Sequence, residues 1–375
     1  MSLKVGLPRM HKEPGERRDF LPHFISSLDR DGAREIVLEE GYGSGMGVSA
    51  QEYLNASSKV RFADYHTCLS QELVAVVRCP SEEALERIPE GSILLSMLHF
   101  PTRPNRVRYL LDRGVHGVSL DGLADETGRR LVENLRSVGW NGVKVAFQEL
   151  AKVYRSFEEP GRRPLRVTVL GAGAVGGHAV SASTRYGDPA VRAKMVTLGV
   201  PGVEVTVVDF DLTCIENYML DRLERTDLLI DATQRPDATR PVIPNDWVAA
   251  LPQHAVILDL SVDPYDFETD PPQVKGVEGV PEGTLDQWVF PPDDPAYERL
   301  DQRIRTAHRR LALSCYSWPG IEPKVCMAVY GPQITPIVRV LLSKPMESID
   351  VRSGSFFERA VARAEVSRWY EASQL

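Results

Sequence analysis

Arg166-Val167-Thr168-Val169-Leu170-Gly171-Ala172-Gly173-Ala174-Val175-Gly176 is the stretch on which the fold turns. A β-branched strand runs straight into Gly-x-Gly-x-x-Gly, and the small apolar residues that follow have the composition of a helix start. In such a strand–turn–helix unit the first glycine permits the tight turn. The second lets the backbone approach a pyrophosphate, and the third brings helix and strand close together. The N–H groups of the first helical turn, at Ala174 and Val175, then face the phosphates. Val203-Glu204-Val205-Thr206-Val207-Val208 reads as a second strand, and Asp209 ends it where a carboxylate reads a ribose 2′-hydroxyl. Phe210 and Asp211 follow, with no Arg or Lys beside them to hold a 2′-phosphate, so the unit favours NAD over NADP. Asp209 lies farther from the glycines than the roughly 20 residues usual for such a unit. The excess sits at 183–201, where Tyr186-Gly187-Asp188-Pro189 breaks the pattern and predicts an interrupted helix followed by a loop.

Asp227 to Asp231 and Val256 to Asp259 are short apolar runs bounded by turn residues, the form of strands buried on both faces. With the first two strands they outline a parallel, doubly wound sheet, and its C-terminal strand ends face the ligand crevice. Asp259 and Asp263 are therefore site candidates; for Asp259 a solvated strand-end carboxylate is an equal alternative.

At 375 residues the chain exceeds the size at which one core stops growing, which predicts two domains. A net charge of −8 with interspersed signs and no basic patch argues against nucleic acid and anionic membrane as partners. The N-terminus lacks the build of a signal peptide and no apolar run suggests a membrane span, so a cytoplasmic location is expected. The cysteines at 68, 79, 214, 315 and 326 are an odd, scattered set without a C-x-x-C pair, which suits reduced thiols; no metal site is expected.

Residues 1–140 form another alternating α/β block, with strands at Lys4–Leu7, Leu73–Val77 and Ile93–Leu98. Residues 142–157 read as a linking helix with Val145, Phe147, Leu150, Val153 and Tyr154 on one face. The stretch 264–295, rich in proline, glycine and acid, reads as a long surface excursion. Residues 323–343, punctuated by Gly331, Pro332 and Pro336, read as a broken helix returning to the first domain, and 353–373 as one final amphipathic helix.

Taken in order, these segments resemble the alanine dehydrogenase and pyridine nucleotide transhydrogenase superfamily, which includes the saccharopine-forming lysine dehydrogenases. Val5-Gly6-Leu7-Pro8 with Glu16-Arg17-Arg18 and Pro22 is similar to the family's start. Val77-Arg78-Cys79-Pro80 stands where the family carries a lysine, and Leu95-Ser96-Met97-Leu98-His99-Phe100 resembles its Leu-His segment. Asp259-Leu260-Ser261-Val262-Asp263 matches its Asp-x-x-x-Asp strand end, and Ser317-Trp318-Pro319 its loop beside the nicotinamide. Leu120-Asp121-Gly122, followed by Gly128-Arg129-Arg130-Leu131-Val132, is similar to a segment of the saccharopine branch.

The resemblance implies two Rossmann-like doubly wound α/β domains with a cleft between them. A discontinuous substrate and catalytic domain would comprise 1–141 plus 324–375, and an NAD-binding domain 142–323. The implied reaction is hydride transfer between NAD and the CH–NH bond of an amino acid or an opine-like secondary amine, by reductive amination of a 2-oxo acid or its reverse. Arg18 and Arg78 would bind the substrate carboxylate, since a guanidinium fork can donate two parallel hydrogen bonds to it. His99 would be the general acid–base, as an imidazole exchanges protons near neutral pH. Asp263 would orient the amine or the nicotinamide, and Gly171, Gly173, Ala174, Val175, Gly176, Asp209, Ser261 and Trp318 would contact the cofactor. Arginine at position 78 cannot readily act as a base, so either His99 carries all proton transfer or the substrate differs from alanine. Two alternatives remain open at this point: an NAD-binding member whose dehydrogenase chemistry has been lost or redirected, and a soluble transhydrogenase-like component. The expected partners are small molecules, with a homo-oligomer as the assembly the resemblance favours.

Overall fold

The structure, a computed structural model, describes residues 2–235 and 237–373, and the chain divides into two compact units. The first runs to Asn134 and resumes at Glu322. Its strands are β1 (Lys4–Leu7), β2 (Glu35–Glu39), β3 (Val60–Ala63), β4 (Leu73–Arg78), β5 (Ile93–Met97) and β6 (His116–Ser119). They form one parallel sheet in the order β3-β2-β1-β4-β5-β6. Its central strands are almost wholly buried, as expected where helices cover both faces. The strand order reverses direction between β1 and β4, so the crevice of this unit opens at the C-terminal ends of those strands.

The second unit, Leu135–Ile321, holds β7 (Leu165–Leu170), β8 (Val203–Val208), β9 (Leu228–Asp231), β10 (Val256–Asp259), β11 (Val289–Phe290) and β12 (Leu311–Ser314). Their order is β11-β12-β10-β9-β7-β8, parallel except for β11, which pairs antiparallel with β12 at the edge. Both units are thus mixed α/β and Rossmann-like. The 183–201 stretch is an interrupted helix: Ala174–Ser183 stops, the chain turns through Tyr186 and Gly187 at positive φ, and Pro189–Thr197 resumes under an Asp188 cap. Gly187 has to be glycine there, because a Cβ would lie 2.3 Å from the Lys144 backbone.

Four elements differ from the sequence reading. The helix expected from 142 spans Leu135–Val153; Val145, Phe147 and Leu150 are buried, but Val153 is exposed and Tyr154 lies beyond its end. Gly139 and Gly142, which weaken a helix by propensity, are its packing surface: a Cβ on Gly139 would meet His178 at 2.8 Å, and one on Gly142 would meet Leu260 at 2.5 Å. Pro323–Ser343 is one continuous helix through Pro332 and Pro336, with Thr335 Oγ1 donating to Gly331 O at 2.9 Å. By length and composition alone this helix could cross a membrane, contrary to the sequence expectation; here Met327, Ile334, Ile337, Val338 and Leu341 belong to the core of the first unit. That burial outweighs the hydrogen bonds its prolines cannot make.

The final amphipathic stretch is two helices, Phe356–Ala364 and Val366–Ser373, separated by Glu365 in extended conformation. Glu365 forms an antiparallel bridge with Val118, and its carboxylate lies 3.6 Å from His116. The bend lets Val361 and Val366 both be buried. Residues 264–295 do have little regular structure beyond β11, yet they are no surface excursion: Lys275, Val277, Val280, Leu285 and Phe290 are all buried.

Candidate active site

In the second unit the three glycines of the β7 turn have distinct surroundings. Gly171 sits at φ +93°, and a Cβ on it would lie 2.7 Å from Ala232 O; one on Gly176 would lie 2.1 Å from Gly171 O. Gly173, the residue before helix Ala174–Ser183, has no neighbour within 4 Å of its ideal Cβ. The turn is therefore tight beneath and open above, so its backbone can approach a pyrophosphate at the helix start. Ala174 is exposed and Val175 half-buried on the first helical turn. Asp209 is exposed at the end of β8, its Oδ1 accepting from Phe210 N at 2.9 Å. These residues fit a dinucleotide.

Asp259 is not a solvated strand-end carboxylate. It is buried, and its Oδ2 lies 2.6 Å from Lys275 Nζ and 3.0 Å from Ser314 Oγ. Its Oδ1 accepts from Ser261 Oγ at 3.0 Å and from Val262 N at 2.9 Å. Burial works to raise the Asp259 pKa, but the Lys275 ammonium and these donors hold it below the usual range. Val262 adopts φ +61°, an outlier for a β-branched residue. Asp263, two residues beyond Ser261, pairs with Arg235 at 2.7 Å. The Trp318 indole is fully buried and donates to Asp259 O at 2.7 Å, so this side chain supports the β10 end from within the core instead of facing a cofactor.

In the first unit, Arg78 ends β4, His99 follows β5, and Asp121 follows β6, so three neighbouring strand ends supply charged groups. His99 adopts φ 51°, a left-handed conformation. Its N–H donates to Asp121 Oδ1 at 3.2 Å, and its Nδ1 lies 3.2 Å from Asp121 Oδ2. Ser119 Oγ also donates to Asp121 Oδ1, at 2.9 Å. Burial opposes ionisation of Asp121, yet hydrogen bonding and charge from His99, with Ser119, bring its pKa down to about 2. A carboxylate on Nδ1 orients the imidazole and fixes its tautomer, reserving Nε2 for proton exchange. Sequence reasoning gave Asp121 little weight; the partnership depends on β5 lying beside β6, which no local motif encodes.

Arg18 is buried and engaged by its own neighbour. Glu16 accepts from its Nε at 2.8 Å and its Nη2 at 2.5 Å, a bidentate pair, while Nη1 lies 3.9 Å from Cys326 Sγ. The fork is thus not wholly available as the sequence reading supposed: Glu16 occupies its Nε–Nη2 edge and Cys326 Sγ lies beside Nη1. Arg78 Nη2 lies 3.1 Å from Glu13 Oε1. Burial, with Cys326 in the same direction, pushes the hydroxyl of Tyr330 on helix Pro323–Ser343 up to about 12, against the opposing pull of Arg18, Arg130 and Arg78. Arg130 and Tyr330 carried no site role in the sequence reading. Among the described residues no cluster of His, Cys, Asp or Glu could hold a metal ion.

The family described as "Alanine dehydrogenase/PNT, N-terminal domain" matches residues 6–138. The chain is similar to an alanine dehydrogenase of Methanococcus maripaludis, 23% identical over 312 residues that cover 79% of this chain and 78% of the relative. Among solved structures, an L-alanine dehydrogenase shares the fold with a TM-score of 0.70 at 19% identity, covering 96% of this chain and 94% of that one. A transhydrogenase from Sinorhizobium meliloti shares it with a TM-score of 0.59 at 15% identity, covering 89% and 92%.

Proposed function

We propose that the chain, whose residues 6–138 match the alanine dehydrogenase/PNT N-terminal domain and which is similar to alanine dehydrogenases, is an NAD-dependent oxidoreductase acting on the CH–NH bond of an amino acid or opine-like secondary amine. The observation that supports the finer reading is the pairing of His99 with Asp121 at the strand ends of the unit that also holds Arg18 and Arg78. Guanidinium groups beside an oriented imidazole support a substrate that carries a carboxylate and exchanges a proton, such as an amino acid or the adduct of a 2-oxo acid and an amine.

NAD would supply the hydride acceptor or donor at nicotinamide C4. Gly171, Gly173, Ala174, Val175 and Gly176 would hold its pyrophosphate and Asp209 its adenosine ribose. Arg18 and Arg78 would fix the substrate carboxylate. His99, oriented by Asp121, would take the proton from the amine or from the carbinolamine oxygen and return it in the reverse direction. Arg78 stays cationic, so it binds and polarises without moving a proton. Asp263, held by Arg235, would orient the nicotinamide or amine side. On this reading the substrate groups belong to the discontinuous domain expected from the sequence, 1–141 plus 324–375, and the nucleotide groups to 142–323.

The test is NADH consumption by the purified chain against a matrix of 2-oxo acids (pyruvate, glyoxylate, 2-oxoglutarate) with ammonia, lysine, ornithine and other amines, with NADPH as control. Turnover with NADH and one 2-oxo acid–amine pair is the expected result. NADH binding without turnover of any pair would instead favour a member whose chemistry has been redirected, with the Arg78–Glu13 pair as its mark.

A further inference from the structure

Across the C-terminal edge of the second unit's sheet, Asp231, Asp259 and Ser314 stand side by side, each aligned with its neighbour in the β9, β10 and β12 register. All three are buried. Ser261 Oγ bridges the two acids, at 3.0 Å from Asp259 Oδ1 and 3.3 Å from Asp231 Oδ2. Asp231 Oδ1 also accepts from Thr233 N at 3.0 Å and Thr233 Oγ1 at 2.6 Å. One cation enters this acidic row. Lys275, only 3% exposed, reaches in from the irregular 264–288 segment to Asp259 Oδ2 at 2.6 Å and Ser314 Oγ at 3.3 Å. The next residue is Gly276, where a Cβ would lie 2.0 Å from Asp231 Oδ2, so the segment must press its backbone against the second acid.

The row terminates in strained backbone. Asp259 Oδ1 accepts from Val262 N, and Val262 is held at φ +61° between Ser261 and Asp263, the two residues of this turn assigned to the cofactor side. A β-branched residue persists there only if its surroundings over-determine the turn. Asp259 supplies that constraint, since one oxygen anchors the turn while the other is tied to Lys275. The far side is fixed as well: Arg235, which pairs with Asp263, also donates to Val274 O, the residue before Lys275.

We infer that Lys275 is a positioning residue for the nicotinamide end of the site: by pairing with Asp259 it holds the Ser261–Val262–Asp263 turn in its strained, cofactor-facing form. The inference rests on the reading of this unit as the nucleotide-binding one. It assigns a role to a residue of a segment without regular structure, and it makes that segment part of the site's support.

The test uses the full chain and NADH as the probe, with Kd from fluorescence titration and thermal unfolding as a separate readout. Lys275→Met leaves Asp259 as an unpaired buried carboxylate. NADH Kd is expected to rise about tenfold, a loss of ~1.4 kcal/mol, in protein that remains folded. In the double variant Lys275→Met/Asp259→Asn the unpaired charge is gone while an Oδ1 acceptor for Ser261 and Val262 remains, so Kd should return to within about threefold of the parent. That recovery separates positioning from bulk stability. Lys275→Met with lowered thermal stability but parental Kd would overturn the inference, as would a double variant that binds no better than the single. If the single variant does not fold, Lys275→Met/Asp259→Leu, which removes the buried charge and the Oδ1 acceptor of Val262 N together, decides: a Kd raised about tenfold in folded protein supports positioning through Asp259, and a parental Kd rejects it. A parent chain that fails to bind NADH would bring down the nucleotide reading itself and the inference with it.

Discussion

His99 is the side chain where backbone geometry and chemistry coincide: a left-handed residue at a strand end, with its imidazole anchored on a half-buried acid. The sequence motif pointed to His99 but not to its anchor. Asp121→Asn should keep the fold, remove the acceptor that sets the tautomer, and lower kcat roughly tenfold to a thousandfold with little change in NADH Kd. An unchanged kcat would show that His99 needs no orienting partner. Asp231 makes an opposite kind of prediction. Burial, then the neighbouring Asp259 charge, pushes its pKa up to about 6. A carboxyl raised on folding binds its proton more tightly in the native chain. It therefore adds stability below the unfolded-chain value of ~3.9 and withdraws it as pH climbs through about 6. Asp231→Asn should consequently stabilise the protein by roughly 1–3 kcal/mol at pH 8 and by little at pH 4, read from denaturant unfolding at both pH values. Lys275 was illegible for a related reason. Nothing in Gln273-Val274-Lys275-Gly276 sets that lysine apart from a solvated one, and only the packing of a loop across three strand ends buries it.

The strands were the legible elements, because a run buried on both faces is written as continuous apolar residues: Leu73–Arg78, Leu165–Leu170 and Val256–Asp259 all lie where such runs do. Helix ends were less legible: Pro332 and Pro336 read as breakers yet are tolerated by tertiary packing, and the helix expected from Gly142 begins at Leu135. The glycine turn is the case in which local sequence and packing agree position by position, and it yields a graded prediction. Gly173→Ala adds a methyl group to open space, so thermal stability should stay close to the parent, while NADH Kd rises about tenfold or more as the methyl displaces the pyrophosphate. Gly176→Ala would drive a methyl into Gly171 O and should cost about 2 kcal/mol or more of stability. Equal NADH affinity in Gly173→Ala and the parent would remove the turn from the cofactor site.

The division of the chain into two units makes a claim about autonomy. Among the described residues, the buried apolar clusters of the second unit draw only on side chains between Val143 and Trp318, all within segment 135–321. The first unit is built differently. Cys326, Met327, Ile334, Ile337, Val338, Leu341 and Leu342 from its C-terminal part complete the same core as Val5, Phe24, Ile36 and Leu73. At about 1.5–3 kcal/mol for each of the six large apolar side chains, losing that helix forfeits roughly 9–18 kcal/mol, the size of the 5–15 kcal/mol by which a domain is stable. A fragment of residues 135–321 should therefore express as a soluble protein with a single cooperative melt. NADH should raise its melting temperature with the concentration dependence of a ligand that binds only the native state. A fragment of residues 1–134 should fail to fold, and the same fragment joined by a flexible linker to 322–375 should recover a cooperative transition. Circular dichroism melts of the three fragments decide the matter. A folded 1–134 would show that the C-terminal helix is an accessory to the first sheet, and an unfolded 135–321 would show that the nucleotide turn depends on residues outside its own unit.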